Sequence, residues 1–186
     1  MRHLIYITLC LFGLATTAQS TILINNVVIF NGKDEKTITG NVLVVNNLIQ
    51  KISTSPIPTN KSGNTVIIDG KGKFLMPGLI DAHWHAILTA STMNELMYAE
   101  PGYVFIKAGD EAANTLMRGF TSVRDLGGPS FGLKKAIDDG VIDGPRIWPS
   151  GSIISQTSGH GDFRSVNERP VSLGGCLNHS EEIGGA

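Results

Sequence analysis

His83 and His85 close the stretch Met76-Pro77-Gly78-Leu79-Ile80-Asp81-Ala82-His83-Trp84-His85, in a chain with only five histidines among 186 residues. Side chains alternate faces along a β-strand, so two histidines separated by one residue point the same way. Their Cα atoms then lie about 6.6 Å apart, at about 3.3 Å per residue. Imidazoles leaning together from that separation can both reach one metal ion at about 2.0–2.1 Å. The chemistry on offer is chelation of a divalent cation. Trp84 points the other way and is expected to pack. Asp81 shares the face of both histidines. It either accepts a hydrogen bond that fixes an imidazole tautomer or caps a turn.

Such a pair needs an element that ends in the right place. Leu79 to His83 reads as a strand, and His85 lies where it runs out. Pro101 to Arg118 reads as a helix, with proline at its first position and Phe105, Ala108, Ala112 and Leu116 at helical spacing. Gly119 stops it. A second strand spans Thr121 to Leu126. Ser130 caps a second helix, Phe131 to Asp139, closed by Gly140. A third strand follows at Arg146 to Trp148. Strand, helix, strand, helix, strand predicts a parallel sheet with crossover helices, whose functional groups gather at the carboxyl ends of the strands.

Upstream, the pattern is different. Ile22 to Ile24 and Val27 to Phe30 are apolar and β-branched, followed by the turn pair Asn31-Gly32. Val42 to Val45 and Leu48 to Ile52 flank a tight turn at Asn46-Asn47. Ser53 to Asn64 reads as a loop. Val66 to Ile68 and Phe74 to Met76 complete a small antiparallel β module, residues 19–76.

Residues 1–18 read as a secretory signal peptide. A basic start, Met1-Arg2-His3, precedes an apolar run from Leu4 to Leu14, too short to span a bilayer. Small residues from Ala15 to Ala18 then place cleavage after Ala18. The expected location is secreted or periplasmic, with no membrane association after cleavage. Removal of Cys10 leaves Cys176 with no partner for an intrachain disulfide. A net charge of -1 excludes a nucleic-acid binder, which needs a basic stripe to neutralise phosphates.

The stretch Pro77 to His85 resembles the Pro-Gly-x-Ile-Asp-x-His-x-His signature of the amidohydrolase superfamily. The preceding module, ending in "VIIDGKGKFLMPG", is similar to that superfamily's N-terminal β-sandwich, and "GFTSVRDLGG" (residues 119–128) to its second barrel strand. "SGHGD" and "GGCLNHSEEIGGA" look like the branch of Xaa-Pro dipeptidases and imidazolonepropionase-like hydrolases. The resemblance covers nearly all of the chain after the signal. It implies an α/β fold, an incomplete (β/α)8 TIM-type barrel holding the first three strands in residues 77–186, preceded by the β-sandwich module.

The resemblance also implies a mechanism. Two divalent metals, usually zinc, share a hydroxide that attacks an amide carbonyl of a small-molecule or dipeptide substrate. By motif position His83 and His85 bind the more buried metal, and His160 contacts the substrate carbonyl. The remaining family ligands lie on later strands that these 186 residues do not include, so this chain alone is expected to be inactive. An Xaa-Pro-type dipeptidase is the first reading and cyclic-amide hydrolysis the second. A non-catalytic binding module made of the front of the fold is a third.

Four further features have simpler accounts. Cys176-x-x-His179 has a zinc-ligand spacing but no second pair, and reads as a loop. Arg124 and Asp125 either line the site or form a structural ion pair, the latter preferred. Glu181-Glu182 reads as the solvated start of a helix. The Gly- and Ser-rich stretch from Ser150 onward carries loop chemistry. No oligomeric state is legible.

Overall fold

Nine residues, Thr21–Ile29, form the central strand of the first sheet (β1). The computed structural model describes residues 20–60, 64–155, 160 and 181–182. Residues 1–18, expected above to be a signal peptide, and Cys176 and His179 lie outside them. The chain divides into two compact units, one up to Pro77 and one from Gly78.

In the first unit β1 is followed by β2 (Ile38–Val45), β3 (Leu48–Ser53), β4 (Thr65–Asp69) and β5 (Phe74–Leu75). The two short runs expected at Ile22 and Val27 are one strand. Ile24 pairs with Val42 and Val27 with Gly40, so Asn25 and Asn26 face the single Asn41 and β1 bulges between the pairs. Asn26 absorbs the bulge at φ 54°, a conformation asparagine tolerates better than most residues. Asn46 does the same at the β2–β3 turn, at φ 56°.

The module is not purely antiparallel. β2 pairs antiparallel with β1 and β3, but β4 and β5 pair parallel with β1. The loop after β3 carries the chain across so that β4 re-enters beside β1 in the same direction. Among the described residues the unit holds a single five-stranded sheet, not two packed layers. Val27, Ile29 and Val42 are its buried centre, with Ile24, Val44 and Leu75 against them.

The second unit is built on β6 (Leu79–Trp84), β7 (Phe120–Asp125) and β8 (Arg146–Pro149), all parallel and in sequential order. Gly78 lets β6 start close to β7. A Cβ there would sit 2.1 Å from Thr121 Oγ1 and 2.2 Å from its Cγ2. Helix α2 (Pro101–Met117) packs on β7, and α3 (Phe131–Asp138) packs on β8. Strands and helices alternate as in the opening of a (β/α)8 barrel. Trp84, Val104, Ala108, Ala112, Val123, Leu133 and Ile147 form the core between sheet and helices.

Two details differ from expectation. The buried stripe of α2 is Val104, Ala108, Ala112 and Thr115, one residue round from Phe105 and Leu116, which flank it. A further helix, α1 (Met93–Tyr98), lies between β6 and α2. Thr92 and Glu95 form a reciprocal capping box at its start, which satisfies two otherwise orphaned donors.

Beyond β8, Ile154–Ser155 (β9) pairs parallel with Glu181–Glu182 (β10). Glu181-Glu182 is therefore strand and not the opening of a helix.

Candidate metal centre

The end of β6 departs from simple alternation. Asp81 stands in register with Val123, and Trp84 with Asp125. Two residues of β6, Ala82 and His83, therefore face one of β7, Arg124, which is a bulge at Ala82-His83. Partners in a parallel ladder share a face, so Asp81 and Trp84 fall together on the helix side. The histidines fall on the other. Asp81 does not share their face, because the extra residue reverses the parity. Its Oδ1 accepts from the backbone N–H of His83 at 2.9 Å, which is a local turn and leaves the imidazoles free.

The rings of His83 and His85 come together. Their centroids are 5.3 Å apart and their planes meet at 71°, edge to face. His83 is exposed, and His85 is half-buried. The Nδ1 of His85 is buried and has no hydrogen-bond partner. A buried, unpaired ring nitrogen is costly unless something binds it. Two imidazoles at this spacing, one with an orphaned nitrogen, are a donor set that fits a divalent cation. Among the described residues no group of three His, Cys, Asp or Glu side chains is placed to share an ion.

Asp125 shapes this end of the sheet in a way its neighbours in sequence do not signal. It is completely buried. Its Oδ1 accepts from the N–H groups of Ala86 at 3.4 Å and Gly127 at 3.3 Å. Its Oδ2 accepts from the hydroxyl of Ser130. Burial pushes the carboxyl above its ordinary value, against the lowering effect of these hydrogen bonds. Ser130 does sit at the start of α3, but its hydroxyl is turned to Asp125 and makes no capping bond to the helix.

Asp125 and Arg124 form no ion pair. Neighbours on a strand face opposite ways. Arg124 is exposed and its Nε donates to the carbonyl of Ala82 at 3.0 Å, across the bulge. Gly127 runs close beside His85. A Cβ there would lie 2.3 Å from Ile153 Cγ1 and 3.5 Å from His85 Nδ1.

On the amino side of α2, Glu95 bonds to Lys107 Nζ through both oxygens at 2.9 Å. Tyr103 donates its hydroxyl to Glu95 at 3.4 Å. The pair ties α1 to α2. The Lys107 ammonium, and then Thr92, hold the Glu95 carboxyl down at about 2.

His160 is an exposed turn residue. The glycines on either side of it, and the rest of its loop, lie outside the described residues.

The model of the Amidohydrolase family matches residues 74–182. An ochratoxinase from Aspergillus niger is 38% identical over 92 residues, 48% of this chain and 19% of that enzyme. An imidazolonepropionase from Treponema denticola is 35% identical over 74 residues, 39% of this chain and 18% of that enzyme. The crystal structure of a prolidase complexed with N-methylphosphonate-L-proline superposes with a TM-score of 0.76 at 29% identity, over 89% of this chain and 41% of that one. The chain thus spans well under half the length of these relatives.

Proposed function

The chain belongs to the amidohydrolase family, a family of hydrolases, and from that membership we propose that it carries the start of a metal-dependent site for cleaving C–N bonds in small substrates. The observation that carries the reading is the meeting of the two imidazoles at the carboxyl end of β6. His83 and His85 are the residues that would hold the cation, zinc in the first instance. When bound, it supplies Lewis acidity and a nucleophile at neutral pH.

The chain's own residues do the rest of the positioning. The bulge at Ala82-His83 aims both rings to one face, and Arg124 braces it through the Ala82 carbonyl. His160 is assigned to contact with the substrate carbonyl, on the strength of its exposure and its place beyond the third strand.

The likeness to the prolidase favours Xaa-Pro dipeptides as substrates. A cyclic amide is the second reading, supported by the identity with the imidazolonepropionase. Export by the leader at residues 1–18, with cleavage after Ala18, belongs to the same proposal. Two imidazoles fall short of the three protein ligands of a catalytic zinc. By itself, then, this chain binds metal weakly and turns over no substrate.

The test follows the ring signals of His83 and His85 by NMR while zinc is added, together with an assay for proline release from an Xaa-Pro dipeptide. The expected result is that both sets of signals move together, a chelator reverses the change, and no proline appears. Rings that ignore zinc would overturn the metal reading. Proline release that a chelator abolishes would overturn the claim that the site is incomplete.

A further inference from the structure

The peptide unit joining His85 to Ala86 is pinned at both ends. Its carbonyl accepts from the N–H of Thr89 at 3.0 Å and from the Thr89 hydroxyl at 2.8 Å. Its N–H donates to Asp125 Oδ1. That same oxygen accepts from Gly127 N–H, and Gly127 lies beside the His85 ring, where a Cβ would lie 3.5 Å from Nδ1. One carboxylate oxygen therefore ties the backbone that carries the imidazole to the backbone that walls it. The other oxygen is fixed by Ser130 at the start of α3.

We propose that Asp125 is a positioning residue for His85, setting the direction of its imidazole through the Ala86 and Gly127 amides without touching the ring's ligand. The inference rests on the reading of His85 as a metal ligand. It goes further by assigning the accuracy of that ligand to a buried carboxylate on the neighbouring strand. A side chain that forms part of a core by apolar packing alone would not need three donors, and a carboxylate buried without them would be strongly destabilising. Two of these three donors are the amides of Ala86, next in the chain to His85, and of Gly127, beside its ring.

The test uses the full chain and two readouts. The first is the ring signals of His85 in the metal-free protein. The second is zinc affinity by calorimetry. Asp125→Ala is compared with Asp125→Asn, which keeps Oδ1 as an acceptor for both amides. Val123→Ala, a core loss on the same strand and the same face, serves as the control for stability. The expected result is that Asp125→Ala shifts or splits the His85 signals and weakens zinc binding about 10- to 100-fold, the usual range for losing a partner that orients a ligand. Asp125→Asn should restore both readouts to within about threefold of wild type, judged against that same range. Val123→Ala should lower Tm and leave both readouts unchanged.

If Asp125→Ala does not fold, Ser130→Ala takes its place and should move the His85 signals in the same direction by a smaller amount. Unchanged His85 signals in the folded variant, or equal changes in Val123→Ala, would overturn the proposal. A wild-type chain that binds no zinc would instead sink the metal reading, with the metal-free ring signals still deciding the role of Asp125.

Discussion

The imidazoles of His83 and His85 meet edge to face, 5.3 Å between centroids, although β6 bulges at Ala82-His83. The bulge and the approach of the rings belong together. An extra residue turns the strand locally, so the histidines leave the face that Asp81 and Trp84 occupy.

Chelation by a pair fails when either member is removed. His83→Ala and His85→Ala are each expected to weaken zinc binding at least about tenfold. The double variant should be scarcely worse than either single one, because a lone imidazole does not chelate. Isothermal titration of the three variants checks this. Additive losses would mean that the two rings bind separate ions.

Adjacent residues should differ sharply in their effect on stability. Trp84 is in the core at 5% exposure, so Trp84→Ala should cost about 3–5 kcal/mol. His83 is exposed, so His83→Ala should stay within about 0.5 kcal/mol of wild type. Urea denaturation of both variants measures the contrast.

Acid should loosen the tie between α1 and α2. Glu95 has its carboxyl lowered from 4.5 to about 2, first by the Lys107 hydrogen bond and then by Thr92. A depressed folded pKa gives stability that is fully present above the unfolded value and is lost as pH falls through the folded one. The window is therefore from about pH 4.5 down to about 2. Glu95→Gln removes the ionisation, so the difference in Tm between wild type and variant should shrink across that window. A difference that holds constant down to pH 2 would contradict this origin.

Space around Gly127 is tight against Ile153. Gly127→Ala places a methyl 2.3 Å from Ile153 Cγ1 and 2.6 Å from its Cδ1, so Ile153 must yield. The expected loss is about 1–3 kcal/mol. Gly127→Ala combined with Ile153→Val should recover part of it, as seen in chemical denaturation. If the double variant is no more stable than Gly127→Ala, Cδ1, the atom valine lacks, is not a source of the crowding.

Much of the second unit is legible in the residues themselves. The proline at the start of α2, the glycines that end α2 and α3, and the parallel alternation all follow from local rules. What is not legible is what depends on two strands at once. The bulge at Ala82-His83 exists only relative to β7, and so alternation along β6 alone puts Asp81 on the wrong face. The parallel entry of β4 beside β1 depends on where a loop leads, which periodicity does not encode. Ser130 carries the signature of a helix cap, but a buried carboxylate nearby competes for its hydroxyl and wins. Helix α1 differs from these, since a local rule does announce it. Thr92-x-x-Glu95 is the capping-box pattern, and it stands in plain view.

Strand β1 lies between partners of opposite polarity, with Thr21 beside both Val45 and Thr65. As the nascent chain emerges, β2 can zip onto β1 and then β3 onto β2, as consecutive hairpins that each close only a short stretch. The other flank of β1 must wait until Thr65 and its successors have been made, and its closure bears the larger entropic cost of a distant partner. For that interval the most central strand of the sheet is also a bare edge, open to any extended segment that reaches it first.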